Sequence, residues 1–544
     1  QRQMCIRDSF TASSLEKIFA ESKAPAKMFD HFSVFKNEKA SFQAAFYAAA
    51  GDTVTFQVAS TLRSFMRFYL VTSVPGGFAL PKKRDSYYIE EEHSTYPDLL
   101  QPLAGTSFTA HETGWNTVWV ELGGELPVGV HTVQIARAGV PGAVELDVEV
   151  IDAELPEQTL IYTNWFHTDC LMSRYGFDAF SDEYWRVSEA FLRRAAEYGM
   201  NCALTPLFTP PLDTKVGGER PTVQLVDVVV TGRDRYVFGF EKLDRWIDMC
   251  LRCGIKYFEM SHLFTQWGAR HAPKIVARKN GQEKKIFGWR TRAAGKKYRL
   301  FLEQFAPALK AYLAKKGIES RCIFHVSDEP AKSMRRAYGR AAGLVRSLFG
   351  GYKIIDALSS FDLYEQGLIG TPVPATDHIG PFIGKVPELW AYYCGAQGQK
   401  NVSNRFFAMP SARNRVLGLQ LYKFDVKGFL HWGYNFYYSR YSKRVIDPFT
   451  EPDAGGFFPS GDSFVVYPGE NGEPLDSLRL HVFYDGLQDL AALRLLESRV
   501  GRQKTLAILE EGLEKPLTFS TYPQGDGWLL SLRERINEAV KQTL

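Results

Sequence analysis

The chain has 544 residues, 45% of them hydrophobic and 23% charged, with a net charge of +4. That is too long for one ordinary core, so two or three domains are expected, and the weak charge without any Lys/Arg block argues against a nucleic-acid partner. Seven scattered cysteines do not suit a disulfide scaffold, and no window of about 18 apolar residues predicts a membrane-spanning helix.

Residues 1–34 form an N-terminal segment whose first nine or so residues fit nothing downstream and read as partly non-native. QRQMCIRDSFTASSLEKIF has no apolar leader, which favours the cytoplasm; an incomplete N-terminus would allow secretion or a periplasmic location. Residues 35–151 read as all-β. VELDVEVI (144–151) alternates apolar and acidic residues with the period of a half-buried strand. TVTFQVAS, MRFYLVTSV, NTVWVELGG and HTVQIARAG repeat the style between Gly, Pro and Asp turns, so a β-sandwich is expected. IDAELPEQ (151–158) is the expected linker.

From residue 159 the rhythm changes. TLIYTNWFH (159–167), CALTPLF (202–208), KYFEMSHLF (256–264), RCIFHVS (321–327), KIIDALSS (353–360), TDHIGPFI (376–383), ELWAYYC (388–394) and GFLHWGYN (428–435) read as strands, mostly separated by helices such as DEYWRVSEAFLRRAAEYG. Two polar insertions interrupt the series. Eight strands predict a (β/α)8 barrel over 159–470, followed by a mainly helical extension over 471–544. Cys250-Leu251-Arg252-Cys253 sits at a helix end with no second pair, so two packed thiols are expected there, not a zinc site.

Active sites of such barrels lie at the C-terminal strand ends. Those ends carry His167 and Asp169; Phe208; His262, Phe264 and Trp267; Asp328 and Glu329; Ser359 and Asp362; Tyr392 and Tyr393; and Trp432, Tyr434 and Asn435. This ring of aromatics, His and carboxylates suits glycoside hydrolysis, in which one acid protonates the leaving oxygen and a second group stabilises or traps the oxocarbenium-like centre. The pair in SDEP has a second reading as a helix N-terminus, where acids favour the dipole and Pro fits the first turn. His325 lies within its strand and reads as support for the pair or as a core His. No GxSxG, HExxH, Walker A or GxGxxG pattern stands in a fitting context, and no cofactor or metal is expected.

HVSDEP, FEMSHLFTQWGA, NWFHTDCL, ELWAYYC, GFLHWGYNFYYS and GDSFVVYPG together resemble glycoside hydrolase family 123 and the wider bacterial group carrying the domain of unknown function 4091. The resemblance implies a sandwich, a barrel and a C-terminal extension, and an exo-acting, retaining β-N-acetylgalactosaminidase assisted by the substrate's own 2-acetamido group. It implies Glu329 as general acid/base and Asp328 as the residue that orients the acetamido nitrogen. Tyr392 is assigned to the acetamido oxygen and Trp432 and Trp390 to the walls of the sugar site. His262, His167, Asp169 and Asn435 are assigned to sugar hydroxyls, with Tyr434 and Trp267 nearby. The expected partner is a glycan with a terminal β-linked hexosamine. A sugar without an acetamido group would need a separate nucleophile, for which Asp169 and Asp362 are the candidates. A non-catalytic glycan-binding barrel is the alternative from another class. Oligomeric state is not set by the sequence.

Overall fold

The computed structural model describes residues 8–90, 92–330 and 332–544; Cys5 lies outside them. Two antiparallel-rich sheets form the N-terminal sandwich. One has seven strands, in the order Ser9–Ser13, Ala40–Ala48, Gly114–Leu122, Met66–Pro75, Thr95–Pro102, Pro474–Ser477, Val466–Pro468. The other has five, in the order His31–Phe35, Val144–Ile151, Gly129–Arg137, Thr53–Ala59, Ser107–Thr109. The alternation in 144–151 works as expected: Val144, Leu146, Val148 and Val150 are buried, Glu145 and Asp147 exposed. They meet Phe42, Phe46, Phe68 and Val120 of the facing sheet in one core.

The sheets reach beyond 35–151 at both ends of the chain. Ser9–Ser13 pairs with Phe42–Phe46, so part of the N-terminal segment is integral to the sandwich. Asp476 and Ser477 pair with Leu100 and Leu99, which sews the start of the C-terminal extension into the same sheet. The extension itself is mainly helical, with Leu478–Val500, Arg502–Leu509 and Asp526–Lys541. Arg533 of its last helix forks onto Glu38 of the sandwich at 2.7 and 2.6 Å.

The second unit is an eight-stranded parallel sheet: β1 Ile161–Asn164, β2 Cys202–Thr205, β3 Tyr257–Met260, β4 Cys322–Phe324, β5 Lys353–Ala357, β6 Thr371–Val373, β7 Trp390–Tyr392 and β8 Gly428–His431. The order is β6-β5-β4-β3-β2-β1-β8-β7, and a parallel bridge between Ala375 and Tyr392 joins the two edges into a nearly closed barrel. β6 is TPV at 371–373. TDHIGPFI, expected to be this strand, instead makes a turn and a short 3₁₀ helix at Gly380–Phe382. The Pro in that stretch removes a ladder donor, which is why a run of apolar residues there does not pair. Inward-facing Ile161, Leu204, Ile323, Ile355, Val373, Trp390 and Leu430 pack the barrel.

The crossover helices follow the apolar period. Ser181 accepts from the Tyr184 N–H to cap Asp182–Glu197, and Gly199 takes the left-handed conformation just past its end. Cys250 and Cys253 pack as buried free thiols on Glu241–Arg252 and its C-terminus. The two polar insertions are not loose loops. Asp227–Gly232, Arg235–Gly239, Ile275–Lys279 and Gln282–Phe287 form a four-stranded sheet beside the barrel. Among the described residues no helix is long and apolar enough to cross a membrane.

Candidate active site

β4 stops at Phe324, and the backbone turns through His325-Val326-Ser327 to the acid pair. Glu329 has φ of 42°, a left-handed conformation that costs a non-glycine residue about 1–3 kcal/mol. This turn is what lets neighbouring acids serve one cleft. The acid pair stands outside the helical residues that follow, a 3₁₀ turn at Lys332–Met334 and then the α-helix Arg335–Phe349 with Met334 as its N-cap. Trp267 (φ 56°) and Asp213 (φ 35°) are strained in the same way, and all three residues line one cavity. The Trp267 N–H donates to the Asp328 carbonyl at 2.8 Å, tying the loop after β3 to the acid pair.

The cavity has a volume of about 280 Å³. Trp165, Trp267, Trp432 and Phe458 form its flat walls, and Asp213, Asp328, Glu329 and Asp462 supply its acids. The indole N–H of Trp432 donates to Asp462 at 3.1 Å. Asp328 is half-buried and lines this cavity. Burial, with the Glu329 carboxyl beside it, pushes the Asp328 carboxyl well above the usual range, and His325 opposes the shift. Burial likewise pushes Asp213 up to about 6 and Asp462 up to about 7. Tyr392 donates its hydroxyl to Glu329 Oε1 at 2.7 Å.

A charged network lies under the acids, inside the barrel. His325 Nε2 is 2.5 Å from Glu259 Oε1 and its Nδ1 is 3.2 Å from Asp356 Oδ1. Glu259 also accepts from Thr163 and, at 2.8 Å, from the Trp165 indole of the cavity wall. Asp356 accepts from the Val326 N–H at 3.0 Å, from the Ser327 N–H, and from the Tyr338 hydroxyl at 2.5 Å. Although burial disfavours its charge, the two carboxylates raise His325 to about 9, so it is an imidazolium at neutral pH. His262 stacks on it with ring centroids 4.2 Å apart, and burial and that neighbouring charge hold His262 neutral. His262, His325 and Asp356 also have potential metal-ligand atoms close together. Both ring nitrogens of His325 already face carboxylates, so the donor set does not fit an ion.

Several expected sugar-binding residues stand elsewhere. Asp169 is locked by the Arg220 guanidinium at 2.6 and 2.8 Å. His167 donates from Nε2 to the Trp432 carbonyl and receives Arg220 at Nδ1; burial, then the Arg220 charge, lowers it to about 3. Asn435 clips the His167 backbone through both amide atoms, at 2.8 and 3.1 Å. Tyr434 donates to the Phe191 carbonyl, away from the cavity. Trp390 lies deep in the barrel, where its ring occupies the space that a side chain on Gly428 would need. Tyr392, Trp432 and Trp267 do line the cavity, with Asp328 and Glu329. Trp165, Asp213 and Asp462 are additions. Asp462 belongs to the GDSFVVYPG stretch that carried part of the resemblance, which is the signal that pointed to it; Asp213 sits in an insertion with no such signal.

Residues 165–496 match the sequence model for the glycoside hydrolase 123 catalytic domain, more than half of the chain, and the range takes in the acid pair and Asp462. The chain belongs to glycoside hydrolase family 123. Among solved structures, a family 123 glycoside hydrolase from Clostridium perfringens, described for glycolipid glycan hydrolysis, is similar at 12% identity. Its TM-score is 0.73, covering 98% of this chain and 97% of that one. This likeness places the sandwich, the barrel and the extension of the family 123 chain in one shared fold. A glycosyl hydrolase family 2 member from Bacteroides cellulosilyticus DSM 14838 aligns only loosely, at 10% identity and TM-score 0.28 over 79% of this chain and 48% of that one. No curated protein sequence matches the chain.

Proposed function

We propose that this family 123 hydrolase removes a single terminal β-linked N-acetylgalactosamine from a glycan, with retention, using the sugar's own 2-acetamido oxygen as the nucleophile. The observation that carries this reading is the division of the acid pair. Asp328 lines the inner cavity, whereas Glu329 lines both this cavity and a second, outer one. A sugar ring in the inner cavity then meets Asp328 at its substituent and Glu329 at its glycosidic oxygen.

In the first step the acetamido oxygen attacks the anomeric carbon, the glycosidic bond breaks, and Glu329 gives its proton to the departing oxygen. Asp328 accepts the amide N–H and stabilises the positive charge on the oxazoline-type ring. In the second step Glu329 takes a proton from water, which opens that ring. Burial and the neighbouring Glu329 carboxyl favour the protonated form of Asp328. Amide N–H donation to Asp328 favours its charged form. Tyr392 exchanges Glu329 for the acetamido oxygen as the ring enters. The Glu259–His325–Asp356 network positions this machinery, holding the Trp165 wall at one end and the 326–327 backbone at the other.

Substrate assistance is supported by the state of the other acids, since this class needs no enzyme carboxylate at about 5 Å from the acid. Asp169 is neutralised by Arg220, and Asp362 pairs with Lys332 at 2.5 Å outside the inner cavity. Asp213 and Asp462 border the inner cavity, where Asp213 already accepts from the Tyr441 N–H at 2.7 Å and Asp462 from the Trp432 indole at 3.1 Å. A second reading, a glycosidase on a sugar without the acetamido group, draws on Asp213's place in that cavity. Chromogenic β-GalNAc, β-GlcNAc and β-galactose glycosides separate the two. Turnover of β-GalNAc alone is expected. Equal turnover of β-galactose defeats substrate assistance, and binding of all three without turnover favours a lectin-like barrel.

A further inference from the structure

The insertion after β3 concentrates positive charge that the proposed chemistry does not use. Residues 261–297 carry ten Lys and Arg against one acid, Glu283, a balance of +9 in a chain whose net charge is +4. Among the described residues only Lys274 and Lys285 of these ten make ion pairs, both with Glu219. Arg278, Lys279 and Lys284 stand on either side of the Asn280-Gly281 turn of an exposed hairpin, where both turn residues take positive φ.

This hairpin belongs to the four-stranded sheet beside the barrel, whose two faces differ. Tyr236, Phe238 and Phe287 turn inward onto Phe301 of the helix Lys296–Lys316. The outer face carries a cross-strand row of Val237, Val229, Arg278 and Glu283, with Val237 55% exposed. That row has no ring on which a sugar could stack.

Both insertions leave the C-terminal ends of β2 and β3, the face that holds the active site, and contacts tie the hairpin to the barrel mouth. The Trp289 indole donates to the Gly218 carbonyl at 2.9 Å, and Lys285 pairs with Glu219. Just before them stands Val216, 64% exposed, and the Lys215 N–H donates to the Tyr441 carbonyl at 3.1 Å. The Arg440 guanidinium lies 4.5 Å over the Tyr441 ring and 5.4 Å over that of Phe457, an exposed residue at the edge of the inner cavity. Exposed apolar side chains and cations thus share one rim of the active face.

We infer that this rim is a docking surface for an anionic lipid bilayer. The hairpin cations gather over acidic head groups, with an attraction that reaches about 8 Å at physiological salt, while Val216 and Val237 meet the apolar interface. A soluble acidic polysaccharide would answer the charge but leave the valines in water.

The test is co-sedimentation of the full chain with vesicles of pure phosphatidylcholine and of equal parts phosphatidylcholine and phosphatidylserine. Partition onto the anionic vesicles is expected to fall steeply with added salt, and by about a hundredfold in Arg278→Glu/Lys279→Glu/Lys284→Glu. Val216→Ser, which keeps the charge, is expected to weaken it about threefold. The three hairpin side chains are exposed, so melting temperature and kcat/KM on the aryl β-GalNAc glycoside should match the native chain. If the triple variant does not fold, the salt titration and Val216→Ser decide. No partition by the native chain, equal partition onto neutral vesicles, or undiminished partition by the hairpin variant overturns the docking surface. Retention on heparin without partition onto anionic vesicles also overturns it, and assigns the charge to a soluble polyanion. Partition is read without turnover, so each of these failures leaves the proposed reaction intact.

Discussion

At the ends of β1 and β8, His167, Asp169 and Asn435 are buried and spend their polar atoms on protein: Arg220, the Trp432 carbonyl and the His167 backbone. At the end of β4, Asp328 and Glu329 face a cavity, and among the described residues only the Tyr392 hydroxyl hydrogen-bonds the Glu329 carboxyl. Both regions are strand-end clusters of similar residue types beside aromatic rings. In the first, each charge has a partner, so its removal exposes a buried opposite charge. In the second, two adjacent carboxyls are held in a strained turn and the Asp328 carboxyl is pushed above its ordinary range, an arrangement that stability alone does not favour.

The largest expected effect is on the cavity side. Glu329→Gln should lower kcat on the aryl β-GalNAc glycoside by about 10²–10⁴-fold, with little change in melting temperature. Asp328→Asn should be comparably severe, and azide should rescue neither. Near-normal turnover by Glu329→Gln would remove the proposed acid, and a trapped covalent glycosyl-protein adduct would remove substrate assistance. The mirror experiment is Asp169→Ala, which leaves the Arg220 charge buried and should cost about 3–5 kcal/mol in urea unfolding. A fall in kcat without that loss of stability would place Asp169 in the chemistry instead.

His325→Gln lies between the two regions. Removing the imidazolium should lower kcat/KM by about tenfold and move the acidic limb of the pH profile upward, because the charge that opposes the rise at Asp328 is gone. A uniform loss of activity with an unmoved profile would mean that His325 is only packing. The same group sets a stability trend. Its contribution is complete below its ordinary value of 6.5 and is lost as pH rises through about 9, so the variant should show a weaker loss of stability across that window. The smallest effect is expected at Asp462, whose carboxyl is raised from 3.8 to about 7. The native chain loses this contribution to stability as pH rises from about 4 through 7. Asp462→Asn keeps an acceptor for the Trp432 indole, so its melting temperature should fall less than the native one between pH 5 and pH 8. Parallel curves would show that the carboxyl does not ionise there.

Much of this contrast was hidden in the sequence. The acid pair was legible because an apolar run, RCIF, breaks directly into polar residues at the fourth of eight strand ends. Asp169 stands at a strand end just as plainly, but its partner Arg220 lies 51 residues away in an insertion with no recognisable pattern. Trp390 and Tyr392 both point into the barrel, two residues apart, and depth along the strand decides that only Tyr392 lines the cavity. The four-stranded sheet within the insertions and the closing strand β6 were missed because short or charged segments there pair through long-range contacts, which local patterning does not encode.

The sequence by itself determined the alternation of strands and helices, the sandwich before it, and the place of Asp328 and Glu329 at a strand end, since hydrophobic periodicity and turn residues act locally. The tertiary structure alone decided which polar groups are already satisfied. It also brought Asp213, Trp165 and Asp462 from distant segments to one cavity, and completed the sandwich with residues 474–477. Those outcomes depend on contacts between residues hundreds of positions apart, where geometry, not residue type, assigns each charge its partner.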